Sequence, residues 1–170
     1  MIQKREILQS IKQGSWRAYM NIQIEQDIST IPQILTLILD CSINGITLSD
    51  PNKEDNPLIY ANKAFEQITG YSIEETLGRN CRFLQGQEND QKELQQIRDA
   101  INNAKSVEAT LRNFRKDGDL FFNRLSITPL FDTKGHLIYF LGVQYDITEQ
   151  ILAQQEIRRL TDALSNIHYH

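Results

Sequence analysis

The sequence predicts an α+β domain built on one five-stranded antiparallel sheet, with helices on one face and further helices flanking it at both ends. Three observations carry this. Short apolar or alternating runs recur at residues 43–49, 58–61, 107–114, 121–130 and 137–146, as half-buried strands require. The last three are joined by the turns Arg115-Lys116-Asp117-Gly118 and Asp132-Thr133-Lys134-Gly135, which makes them a meander. Capped helical segments separate the second strand from the third, a layout of the α+β class.

The elements follow in order. Residues 1–39 read as a polar helical flank that ends in the apolar stretch 31–39. Pro32 suits the first turn of a short helix there. Segments 7–11 and 19–24 are candidate pairing faces. Asp50-Pro51-Asn52 and Asp55-Asn56-Pro57 punctuate the link between the first two strands. Asn62 caps a helix that Gly70 stops near Thr69. Ser72-Ile73-Glu74-Glu75 has the capping-box pattern. Asp90-Gln91-Lys92-Glu93 repeats it and opens a helix with Leu94, Ile97 and Ile101 on one face. Residues 40–147 form the core. Residues 148–170 form one amphipathic helix, capped by Asp146 with Glu149 three positions on. Ala153, Ile157, Leu160, Leu164 and Ile167 alternate by four and three residues. They make either a coiled-coil seam or a face packed back on the sheet.

Composition narrows the classes. The 170 residues carry a net charge of -4, are 40% hydrophobic and 24% charged. Nothing there drives binding to nucleic acid or an anionic membrane. No run reaches the ~18 apolar residues of a membrane span, and no signal peptide is visible. Two distant cysteines, Cys41 and Cys81, argue against a disulfide scaffold or a zinc site and suit a reducing cytoplasm.

Strand periodicity exposes an anomaly. Asn113 shares a face with Val107, Ala109 and Leu111. Asn123 shares one with Phe121, Leu125 and Ile127. Gln144 shares one with Ile138, Phe140 and Gly142. An unpartnered buried amide costs about 1–3 kcal/mol. Either the amides satisfy one another, or water, or they face a planar ligand with donors and acceptors along its edge. A flavin or another heterocycle fits; a lipid does not.

The segment Gly78-Arg79-Asn80-Cys81-Arg82-Phe83-Leu84-Gln85-Gly86 sets a cysteine among two arginines, two amides and an aromatic. Arg82 and Arg98 could both reach a phosphate through forked hydrogen bonds. The segment resembles the signature of LOV domains, the flavin-binding branch of the PAS family. Asp50-Pro51, Asp55-Asn56-Pro57, Tyr60-Ala61-Asn62-Lys63-Ala64-Phe65, Thr69-Gly70-Tyr71-Ser72, Asn113-Phe114-Arg115-Lys116-Asp117-Gly118, Phe121-Phe122-Asn123 and Gly142-Val143-Gln144-Tyr145-Asp146-Ile147-Thr148 extend the resemblance over about residues 40–148. The Phe114, Phe122, Gly45, Thr47 and Ser49 positions depart from the commonest pattern, which bears on the lifetime of the photoproduct and not on flavin binding.

The resemblance implies a blue-light sensor module of the PAS fold that binds FMN. Cys81 would be the photoactive thiol, bonding reversibly to flavin carbon C4a. Arg82 and Arg98 would hold the phosphate, and Asn113 and Asn123 the pyrimidine edge. Asn80 and Gln85 would contact the ribityl chain and ring, and Gln144 would sit beside N5. Glu75 and Lys116 would form a surface ion pair. The signal would leave through Gln144 and the last strand toward a homodimer formed by the flanking helices. The ending 165–170 resembles a linker that precedes diguanylate cyclase (GGDEF) domains, so a longer protein with an effector is expected, against a short stand-alone photoreceptor. A redox-sensing flavin module would keep the amides without needing Cys81. An enzyme with a Cys81 nucleophile would want a partnered histidine base, and His136 lies in a turn. No enzyme activity or metal is therefore expected.

Overall fold

The computed structural model describes residues 31–88 and 90–167. Two compact units divide the chain, Met1–Cys41 and Ser42–His170. The described part of the first contains helix α1 (Ile31–Asp40), with Pro32 in its first turn and Ile34, Leu35, Leu37 and Ile38 exposed. The pairing faces expected at 7–11 and 19–24 lie outside the described residues.

The second unit holds the sheet. Its strands are β1 (Gly45–Ser49), β2 (Leu58–Ala61), β3 (Val107–Phe114), β4 (Leu120–Phe131) and β5 (Leu137–Asp146), in the order β2-β1-β5-β4-β3. Every neighbouring pair is antiparallel. The chain's first strand therefore lies beside its last, and the segment between β2 and β3 must pass from one edge of the sheet to the other. That segment carries α2 (Lys63–Thr69), α3 (Ile73–Thr76), a 3-10 helix (Cys81–Gln85) and α4 (Lys92–Asn102). Strand β1 starts two residues later than its apolar pattern suggests. The Ser42 hydroxyl accepts from the Asn44 N–H, and Ile43 turns out to solvent.

Helix α2 shows how the insert is tied down. Asn62 is fully buried, and its Oδ1 accepts from the Phe65 N–H at 3.1 Å and the Ile46 N–H at 2.8 Å. Its Nδ2 donates to the Asn44 carbonyl at 3.0 Å. One side chain thus caps the helix and fixes it to the start of β1. Asn62→Ala would take from the Ile46 N–H and the Asn44 carbonyl their side-chain partner and leave the Phe65 N–H only the residue 62 carbonyl. It is expected to lower unfolding stability by about 2–4 kcal/mol, measured as a shift of the urea midpoint at constant slope.

The Ser72 capping box forms in full, with both reciprocal bonds present. The one expected at Asp90 does not. Helix α4 begins after Gln91, whose side chain makes no cap hydrogen bond. Gln91 is used elsewhere: its Oε1 accepts from the Arg112 N–H at 2.7 Å and its Nε2 donates to the Arg112 carbonyl at 2.9 Å. Arg112 sits on β3, an edge strand with backbone groups unmet by a neighbour. Gln91 supplies that neighbour, which outweighs a helix cap available from water.

The inner face of the sheet packs in two clusters. Leu94 and Ile97 of α4 meet Val107, Ala109 and Leu111 of β3. Phe65 of α2 and Leu84 meet Leu58 and Ala61 of β2. Each fully buried aliphatic or phenyl group contributes about 1.5–3 kcal/mol. The clusters stand at opposite ends of the strand order, leaving room between them over β1, β5 and β4.

Helix α5 (Thr148–Ile167) leaves the sheet at a pinned junction. Asp146 Oδ1 accepts from the Thr148 N–H and hydroxyl, and its Oδ2 from the Arg115 guanidinium. Arg115 also donates to the Ile68 carbonyl and lies 4.6 Å from the Phe121 ring centroid. Burial works against the Asp146 charge, but the bonds from Thr148 and Arg115 prevail and hold the carboxyl below its ordinary range. Past the first turn the apolar stripe faces outward: Ile157 is 64% and Leu164 62% exposed. Of the two arrangements open to this helix, it is not packed back on the sheet.

Candidate functional site

The room between the clusters is a cavity of about 120 Å³, flanked by an outer one of about 360 Å³ that shares Asn56, Asn80, Arg82 and Gln85 with it. The inner cavity is walled by Thr47 and Ser49 of β1, Asn113 of β3, Asn123 of β4, Phe140, Gly142 and Gln144 of β5, and Cys81. Close backbone approach shapes the floor. Gly142 faces Thr47 in the β1–β5 register, and a Cβ on Gly142 would come 2.5 Å from the Thr47 hydroxyl oxygen.

Cys81 is positioned by its segment's attachment to β2. The Leu58 N–H donates to the Arg79 carbonyl and the Gly78 N–H to the Leu58 carbonyl, both at 2.8 Å. The Arg79 guanidinium lies 4.0 Å from the Phe83 ring centroid, and Tyr71 meets that ring edge-on. At the far end Gly86 (φ 55°) lets the chain lie on Phe114; a Cβ there would be 2.9 Å from the ring. The 3-10 helix between these anchors is capped by Asn80, whose Oδ1 accepts from the Arg82 N–H at 3.0 Å. The Cys81 thiol lines the cavity, and burial pushes its pKa up from an ordinary 9.0 to about 12. It is a neutral thiol at physiological pH, unlike an activated cysteine nucleophile.

The three amides are among the least exposed side chains of the fold: Asn113 at 2%, Asn123 at 1% and Gln144 at 0%. They form a chain. Asn113 Nδ2 donates to its neighbour's backbone carbonyl at Arg112. Asn123 Nδ2 donates to Asn113 Oδ1 at 3.0 Å and to Gln144 Oε1 at 3.5 Å. Gln144 Nε2 reaches the Cys81 sulfur at 3.8 Å. The amides thus bond one another and line a cavity. Asn123 Oδ1 is buried with no donor, an orphan that costs about 1–3 kcal/mol. A ring edge bearing an N–H would satisfy it.

The outer cavity takes the remaining predicted residues. Asn80, Arg82 and Gln85 line both cavities, and Arg98 of α4 lines the outer one. Arg82 is paired with Asp55 at 2.5 Å. Among the described residues Arg98 makes no ion pair. Outside the cavities Lys116 pairs with Glu75 at 2.6 Å and holds that carboxyl low. His136 bonds Asp132 within the β4–β5 turn and lines neither cavity. Asp55 and Asn56 were legible as turn punctuation and as part of the family resemblance but not as site residues, yet Asn56 borders both cavities. Their signal was the Asp-Asn pair itself, tolerant of the left-handed backbone that both adopt (φ 64° and 48°).

A five-stranded sheet with a helical insert enclosing a largely apolar pocket with amides on its wall is the architecture of a ligand-binding sensor domain. The PAS domain family matches residues 43–149, and the chain belongs to the PAS family. Its Cys81 segment and its relatives place it in the LOV branch. It is 44% identical over 126 residues to a blue-light photoreceptor of Listeria monocytogenes, covering 74% of this chain and 49% of that protein. A solved RNA-binding light-oxygen-voltage receptor superposes with a TM-score of 0.72 at 39% identity, over 84% of this chain and 40% of the other. The LOV domain of a blue-light activated histidine kinase from Erythrobacter litoralis superposes with a TM-score of 0.59 at 45% identity, over 62% and 96%. The chain spans about half the length of the Listeria photoreceptors it matches. Among the described residues no helix is long and apolar enough to cross a membrane.

Proposed function

We propose that this chain is a blue-light sensory module that holds flavin mononucleotide and signals through Cys81. The observation that carries the reading is a neutral cysteine thiol sharing one cavity with three linked carboxamides, one of which has an orphaned oxygen. Asn113 and Asn123 would hold the polar edge of the ring, Asn80 and Gln85 the ribityl chain, and Arg82 with Arg98 the phosphate. The bound flavin supplies blue-light absorption and the carbon to which sulfur attaches; the protein supplies placement and proton. Cys81 brings its own proton, because burial keeps it a thiol. The anchored 3-10 helix holds that thiol on the cavity wall, where its encounter with a bound ring would be unimolecular. Gln144 holds both a donor and an acceptor at the same spot.

The outward-facing stripe on α5 suits a homodimer through the flanks, and the share of each relative left unmatched suits an effector elsewhere in the whole protein. A cytoplasmic setting fits the free thiol. The rival, a flavin redox sensor, gives no role to a thiol beside Gln144. The deciding measurement is the visible spectrum of flavin-reconstituted protein before and after blue light. Reversible bleaching supports the module. A bound flavin whose spectrum ignores light selects the redox sensor, and protein that binds no flavin overturns both.

A further inference from the structure

We infer that Asp55 tunes the preference of this pocket for a phosphorylated ligand by competing for Arg82, an inference resting on the flavin mononucleotide reading above. The loop between β1 and β2 reaches both cavities through Asn56. It is attached to the Cys81 segment twice. Asn80 Nδ2 donates to the Asp55 backbone carbonyl at 2.5 Å. The Asp55 carboxylate takes Arg82 at 2.5 Å. The first bond fixes the loop and needs no particular side chain at residue 55. The second does something else: it occupies a guanidinium that lines the cavity.

An incoming phosphate therefore meets two different arginines. Arg98 makes no ion pair among the described residues, whereas Arg82 is already neutralised. The Asp55–Arg82 pair is mostly in solvent, with side chains 55% and 61% exposed. Exposed pairs are weak and screened, so a phosphate dianion with forked geometry can displace the carboxylate. Displacement leaves Asp55 without its cation, a cost that only a ligand competing for Arg82 incurs. Asp55 thus handicaps the phosphorylated ligand while leaving an uncharged one untouched. Arg82 also has an acceptor whenever no phosphate is present.

The test uses the whole 170-residue chain stripped of flavin, titrated with FMN and with riboflavin. Asp55→Asn keeps a residue tolerant of φ 64° and keeps the backbone bond to Asn80. It is expected to tighten FMN binding by about threefold to tenfold, with riboflavin unchanged. Asp55→Gly, equally tolerant of that backbone, should behave alike. In an Arg82→Ala background the gain on Asp55→Asn should vanish. Weaker or unchanged FMN binding in Asp55→Asn overturns the inference, as does a gain that survives without Arg82. Wild-type protein that binds riboflavin as tightly as FMN would instead sink the phosphate assignment beneath it.

Discussion

Cys81→Ala protein is expected to bind flavin, fold normally and show no reversible bleaching in blue light. The effect is all-or-none because alanine has no atom able to bond carbon reversibly and no proton to give. Well-placed groups act at effective molarities of about 10⁵ M or more, so millimolar thiol added to the solution does not rescue the variant. The fold tolerates the change: Cys81 packs at the edge of the Leu58–Phe65 cluster and is not among its buried members, and losing one sulfur there costs about 1 kcal/mol. The pH profile carries a second expectation. Burial pushes the thiol up to about 12, so it stays protonated and the bleaching amplitude is flat from about pH 6 to about pH 9. An amplitude that rises with ordinary thiol ionisation contradicts the buried-thiol assignment. The stability linkage has a definite sign. The unfolded thiol loses its proton near 9.0 and the folded one only near 12. Above pH 9.0 the folded state holds more protons, so stability falls as pH rises toward 12 and is unaffected by this group below 9.0.

Much of the fold was legible because its signals are local. Alternation defined β3 and β5 to the residue, since every second side chain faces the core along β3 and from Phe140 to Gln144 of β5. Asn62 and Ser72 announced their helices because a cap depends on only the next three residues. The same logic failed at Gln91, where a long-range partner, the backbone of Arg112, took the side chain. Local pattern also overran at Ile43, which is apolar but has no sheet to join. The amides of the site were visible as violations of strand alternation, a conflict between local pattern and burial that marks function. What could not be read was the mouth of the pocket. Asp55 precedes Arg82 by 27 residues, and nothing in either local sequence shows that the β1–β2 loop folds across to meet it. Thr47 stood out only as a departure from the family pattern; its contact with Gly142 could not be read, because it depends on the pairing of the first strand with the last.

Gln144→Leu should keep the bleaching and lose most of the structural response to it. Gln144 is fully enclosed, so every hydrogen bond it makes is with the protein or the ligand. Its Nε2 faces the Cys81 sulfur and its Oε1 faces Asn123. A sulfur that changes its bonding is a changed acceptor, and a carboxamide adapts by rotating oxygen for nitrogen. That rotation alters a bond to β4 from a residue on β5. Two residues further along β5, Asp146 fastens α5 to Arg115 and Thr148. Thr148 accepts from the Phe122 N–H at 3.0 Å, next to Asn123 on β4. The strands linked by Gln144 are thus the strands that hold the root of the helix. Leucine fills the space but offers no bond to exchange. One neutral hydrogen bond is worth about 1 kcal/mol, or roughly fivefold in an equilibrium between two arrangements. Amide hydrogen exchange in α5, compared in darkness and under blue light, should therefore differ clearly in wild type and shrink by about that factor in the variant. An undiminished light effect on α5 would mean that the signal leaves the cavity by a route that bypasses β5.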